Sequence, residues 1–187
     1  MRIFKKLSAL CIFGVLLLTS SCAKASNPGF YLYKSSPIGF QIEYPDTWSK
    51  EVDNSEKVVA FLTPTEGFGD VYRDNVTISR AELGEESFDK YYENYYASLP
   101  STFAGFTEKE KADVLVGEKE ARRITFTSST ETTDDNGEKS TVSLQIKQYI
   151  VHADAYVFFI TYIAAPGSFD YFEPFFNTML ETVKFTV

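Results

Sequence analysis

Residues 155–164 read Ala-Tyr-Val-Phe-Phe-Ile-Thr-Tyr-Ile-Ala, ten positions without a charge and apolar on both parities. Tyr156, Phe158, Ile160 and Tyr162 alternate with Val157, Phe159 and Ile163. A strand turns successive side chains to opposite faces, so this pattern predicts a central strand covered on both sides. The short turn Ala153-Asp154 joins it to Ser140–His152. There Val142, Leu144, Ile146 and Ile150 share one parity and Ser143, Gln145 and Lys147 take the other, as in a strand with one face to water. Arg122–Ser129 comes before it as a further strand, and Asp134-Asp135-Asn136-Gly137 between the two is a hairpin signal. Downstream, Phe169, Phe172, Phe176, Leu180 and Val183 recur at helical spacing behind Ser168. Pro174 predicts an irregular first turn, with the main helix starting near Glu173, and Phe185 and Val187 close the chain as a short strand.

Towards the N-terminus, Phe40, Ile42 and Tyr44 alternate with Gln41 and Glu43 until Tyr44-Pro45-Asp46 stops the strand. Val58–Thr63 and Asn75–Ala81 read as two more strands, separated by a glycine-containing loop over residues 66–74. Ser87 caps a helix in which Phe88, Tyr92, Tyr95 and Leu99 share a side, with Pro100 just after its end. That spacing lays an aromatic stripe on a sheet and leaves Tyr91 and Tyr96 as the exposed pair. Seven or so strands with only two substantial helices indicate an α+β fold, an antiparallel sheet with helices packed on it.

A chain of 187 residues holds one such domain plus appendages. With 18 Lys and Arg against 26 Asp and Glu, the net charge of −8 leaves no broad positive surface for nucleic acid. Any Ser-His-Asp or Cys-His site has to use His152, the single histidine, which sits at a strand end beside a turn. Calcium prefers oxygen ligands, but aligning Gly137 with the glycine of an EF-hand loop puts Thr132 and Ser143 where acids are required.

The N-terminus carries an address. Arg2, Lys5 and Lys6 precede twelve mostly apolar residues, Leu7–Leu18, which at about 1.5 Å per residue are too short to cross a bilayer as a helix. The segment ends Leu18-Thr19-Ser20-Ser21-Cys22, the form of a lipobox. Residues 1–21 are therefore read as a lipoprotein signal peptide, Cys22 as the lipidated (palmitate-bearing) N-terminus of the mature chain, residues 22–29 as lipidated cysteine and short tether, and residues 30–187 as the domain. Cys11 leaves with the signal, so neither a disulfide nor a cysteine metal site is expected. Loss of the three basic residues takes the net charge to −11, so attachment to an anionic cell membrane, on its extracytoplasmic side, would rest on the lipid anchor.

Taken in order, Gly39-Phe40-x-Ile42-x-Tyr44-Pro45-x-x-Trp48, then Asp74-Asn75-Val76-Thr77-Ile78 leading into Ser87-Phe88-x-x-Tyr91-Tyr92, then Phe172-x-x-x-Phe176-x-x-Met179-Leu180-x-Thr182-Val183-x-Phe185 resemble bacterial PsbP-related lipoproteins. The resemblance implies the α/β/α sandwich of PsbP and of Mog-type Ran-binding proteins, relatives that mostly act by docking on other proteins. It carries no residue role with it.

These readings together predict a non-catalytic lipoprotein without cofactor that binds a protein or envelope component. The candidate contacts are Phe68, Asp70, Tyr72, Arg73 and Asp74 in the 66–74 loop, with Tyr91 and Tyr96 on the helix. The competing expectation is a small-ligand or calcium site between that loop, the 88–99 helix and the sheet.

Overall fold

A computed structural model describes residues 25–53, 57–65, 72–133 and 137–187. In chain order its elements are β1 (Phe30–Ser35), β2 (Phe40–Pro45), β3 (Ser49–Val52), β4 (Val58–Leu62), β5 (Asn75–Glu82), α1 (Phe88–Thr102), β6 (Thr107–Val116), β7 (Lys119–Thr133), β8 (Lys139–Ala153), β9 (Tyr156–Ala164), α2 (Phe169–Glu181) and β10 (Lys184–Phe185). The signal peptide, Cys22, Phe68, Asp70 and the first three residues of the 134–137 turn lie outside the described residues.

Seven strands form an antiparallel sheet in the order β3-β4-β5-β9-β8-β7-β6, and β1, β2 and β10 form a second, smaller one. The doubly apolar strand β9 lies in the middle of the large sheet, where Ile160 pairs with Ile78 of β5 on one side and with Tyr149 of β8 on the other. One parity of β9, with Phe158, Ile160 and Tyr162, enters a core shared with α2 and the small sheet. The other parity, with Val157, Phe159 and Ile163, enters a core under α1. Helix, sheet and a mixed layer of helix plus small sheet thus make the α/β/α arrangement.

Several expectations are corrected. β8 shows one face to water only in its first half; further on Tyr149, Val151 and Ala153 are buried on the α2 side while Ile146 and Ile150 are buried on the α1 side. α1 continues through Pro100 to Thr102, because a proline in the last turn removes only one internal hydrogen bond. α2 runs unbroken from Phe169 with Pro174 inside it, at a position exposed to solvent. Burial of Phe169, Phe172, Phe176 and Met179 holds that helix together across the missing N–H. The first half of β6 has no apolar alternation to reveal it: Thr107–Lys111 reads Thr-Glu-Lys-Glu-Lys, all exposed, as suits an edge strand that must not pair with another chain, and only Ala112, Val114 and Val116 beyond it turn inward. Gly117 and Glu118, both at positive φ, make the two-residue turn into β7. A Cβ at Gly117 would also sit 2.9 Å from the carbonyl oxygen of Val183, so only glycine fits there.

Candidate functional site

The C-terminal end of the 66–74 loop is stapled to three parts of the fold. Tyr72 packs against the core under α1, and its hydroxyl accepts a hydrogen bond from Asn75 Nδ2 at 3.2 Å. Burial pushes its pKa up, against the hydrogen bond from Asn75. The guanidinium of Arg73 donates to the Thr63 carbonyl from Nε at 3.0 Å and from Nη2 at 2.6 Å, and to Ser49 Oγ at 2.9 Å. It ties the edge of the large sheet together. Asp74, expected as a surface contact, is 4% exposed. Its Oδ1 accepts the Ala165 N–H at 2.8 Å, and its Oδ2 accepts the Ser168 hydroxyl. Ser168 opens α2 as anticipated, but spends its hydroxyl on Asp74 and the Ala165 carbonyl rather than on the helix N–H groups.

The α1 tyrosines do not divide into an inner and an outer pair, because all four are half-buried. Tyr91 and Tyr95 lie on Phe159, with centroids 6.4 and 4.9 Å away, while Tyr92 stacks on Tyr96 at 6.0 Å. Tyr96 donates to Glu108 and carries Lys111 Nζ 4.5 Å over its ring. Beneath the helix Tyr95 donates to Gln148 Oε1 at 2.7 Å, and Gln148 Nε2 donates to Thr161 Oγ1 at 2.9 Å. Burial, opposed by the Gln148 hydrogen bond, raises the Tyr95 hydroxyl to about 12. The His152 ring stacks on Phe88 at 5.1 Å, and its Nε2 lies 3.1 Å from the Asp154 carbonyl oxygen. Among the described residues, no group of three or more His, Cys, Asp or Glu side chains is placed to hold a metal ion.

Two features were not anticipated from the sequence. On α2 Tyr171 is 68% exposed, its ring against Phe172, and Phe175 is 38% exposed beside Trp48. The available signal was a helix with aromatics at 169, 171, 172, 175 and 176, more than one face can bury. The second is a clamp at the tether. Glu43, 6% exposed, accepts the Ser26 N–H and hydroxyl on Oε1 at 2.6 and 2.7 Å, and the Asn27 N–H and side-chain amide on Oε2 at 3.0 and 2.9 Å. Residues assigned to the tether are thus held by the domain.

Burial alone would push the Glu43 carboxyl up, but these four hydrogen bonds outweigh it and hold the pKa below its ordinary 4.5. A carboxylate depressed in the folded state stabilises it above that ordinary value, and the contribution is lost as pH falls through the lower, folded value. On acidification the Asn27 side-chain amide resonances should therefore keep their bound positions through pH 4.5 and move only below it. Movement centred at or above 4.5 would refute the clamp, and Glu43→Gln should remove the transition.

Compared with protein-family models and with curated proteins, the sequence has no match. Solved structures do match it. Cyanobacterial PsbP from Synechocystis sp. PCC 6803 is 10% identical, with 89% of this chain and 98% of that chain covered at a TM-score of 0.58. LpqN, involved in cell envelope biogenesis of Mycobacterium tuberculosis, is 14% identical over 84% of this chain and 91% of its own, also at 0.58. The Ran-binding protein Mog1p of Saccharomyces cerevisiae is 8% identical over 84% and 95%, at 0.55. At these identities the likeness concerns backbone architecture, and it agrees with the layers described above: the chain has the α+β sandwich fold of PsbP and Mog1p.

Proposed function

We propose that this chain is a lipid-anchored extracytoplasmic domain that acts by docking onto a protein or envelope component and not by catalysis. The observation that carries the reading is the outer side of α2, where Tyr171 and Phe175 stand exposed while the core it needs is already filled by Phe169, Phe172 and Phe176. Exposed aromatic area of this kind supplies the anchors of protein interfaces. The groups best suited to chemistry, His152 and Asp74, are engaged in contacts that hold elements together. Among solved proteins of this fold, Mog1p binds Ran and LpqN is involved in cell envelope biogenesis. Among the described residues no helix is long and apolar enough to cross a membrane, in keeping with an anchor at Cys22.

The Glu43 clamp shortens the tether. From Cys22 to Ser26 is four residues, about 14 Å when fully extended, so the domain would ride close to the bilayer. Cys22→Ala should move the protein from the membrane fraction to the soluble fraction, and retention in the membrane would overturn the anchor. A photo-crosslinking residue at position 171 of the anchored chain should give discrete adducts in intact envelopes that the same residue at exposed position 93 on α1 does not. Equal labelling from both positions would overturn the docking face.

A further inference from the structure

Antiparallel pairing of Val58 with Ser79 and Val59 with Ile78 puts Lys57 opposite Arg80 on the next rung. Lys57 and Arg80 share the parity of Val59, Phe61, Val76 and Ile78, all of which enter the core on the α2 side. At this end of the large sheet the apolar ladder is replaced by two cations. The turn between β1 and β2 overhangs them, and a cleft of about 390 Å³ remains, lined by Pro37, Ile38, Lys57, Arg80, Glu82 and Tyr156. The Arg80 guanidinium lies over Tyr156, its central carbon 3.9 Å from the ring centroid. Gly39 leaves room for it, since a Cβ there would sit 3.0 Å from Arg80 Nη1.

Like charges directly across an antiparallel pair destabilise it. Yet neither cation forms an ion pair with an acid among the described residues, in a chain where acids outnumber bases. Among the described residues the acids nearby are Glu82, exposed on the cleft wall, and Asp53, whose Oδ1 takes the backbone N–H groups of Lys57 and Val58 at 2.7 and 2.8 Å. A planar guanidinium fixed by stacking presents its N–H edge to an oxyanion, and a lysine opposite supplies the second charge. Against the two cations stand two acids, Glu82 and Asp53, so the cleft has no surplus of positive charge, and this disfavours a phosphate dianion more than a singly charged carboxylate. Ile38 is fully buried behind the cleft and the Arg80 guanidinium covers one face of Tyr156, so the apolar surface open to a ligand is chiefly that of Pro37, and the volume is at the small end of ligand sites.

We propose that this cleft binds a small organic carboxylate, its anionic group held by Lys57 and Arg80 and its apolar body against Pro37. The site is separate from the docking face on α2. The test uses the purified full-length protein in detergent, titrated with phenylacetate, phenylacetamide and inorganic phosphate while backbone amide resonances are followed. Phenylacetate should saturate, moving the amides of Arg80, Glu82 and Tyr156, with phosphate at least about tenfold weaker and the neutral amide without effect. Arg80→Gln and Lys57→Gln should each weaken phenylacetate at least about tenfold, while each stays folded by its amide spectrum. Failure of phenylacetate to saturate by about 10 mM, equal affinity for phosphate, or undiminished binding by a folded variant of either cation would overturn the proposal.

Discussion

Phe176→Ala is expected to lower the free energy of unfolding by about 3–5 kcal/mol, the range for truncating a fully buried aromatic side chain. Phe176 is 0% exposed and is the point where α2 meets the large sheet, its ring 5.1 Å from Tyr162 and 5.9 Å from Tyr149. Those two tyrosines belong to adjacent central strands, β9 and β8, so alanine would open a void with rigid walls that cannot collapse onto it. Domains are typically stable by only about 5–15 kcal/mol, so the variant should unfold at markedly lower denaturant with an unchanged slope. Phe175→Ala, one residue along and facing outward, is the control. Its loss should stay below about 1 kcal/mol, and equal losses at the two positions would mean that α2 does not pack as described.

That contrast between neighbouring phenylalanines marks how far the sequence could be read. The central strand was legible because Tyr156–Ile163 is apolar on both parities, a pattern that only a position covered on both faces sustains. The buried side of α2 was legible from its spacing, as were β2, β4 and β5 from alternation or β-branched runs. β6 was not, because its first five residues are an exposed, charged edge and the inward alternation of Ala112, Val114 and Val116 spans too short a stretch to stand out. Pro100 and Pro174 were over-read as boundaries. Local propensity disfavours proline in a helix, but burial of Leu99 in one case and of Phe172 and Phe176 in the other decided the outcome.

The candidate site was less legible still. Glycines and charges in the 66–74 stretch suggested a contact loop, yet Tyr72, Arg73 and Asp74 are a junction, since their partners Thr63, Ser49, Ala165 and Ser168 come from three other segments. No local rule anticipates a hydrogen bond across 94 residues. The same holds for the Lys57 and Arg80 rung, which appears only once the register of β4 on β5 is known. Tyr91 and Tyr96 were singled out by helical periodicity alone. A helix lying flat on a wide sheet half-buries residues well beyond its central stripe, so no clean outer pair exists.

Asp74→Ala should be the most costly polar substitution in this junction, at about 3 kcal/mol. The carboxylate is buried, and hydrogen bonds to a charged group contribute about 1.5–3 kcal/mol each, more when removal leaves a buried donor unpaired. Here the Ala165 N–H loses its acceptor at the point where the chain leaves β9 for α2, and the Ser168 hydroxyl keeps only the carbonyl of Ala165. Because Asp74 also accepts the Thr63 N–H on its main-chain carbonyl, the side-chain loss is separable from strand pairing, which the substitution leaves intact. Asp74→Asn, which retains an acceptor for Ala165, should cost clearly less than alanine. Residues that share a hydrogen bond are not additive, so Ser168→Ala combined with Asp74→Ala should fall short of the sum of the single losses by about 1 kcal/mol or more. Additivity within about 0.5 kcal/mol would show that the carboxylate and the start of α2 are energetically independent, and would remove the physical basis for treating the 72–74 segment as part of the scaffold.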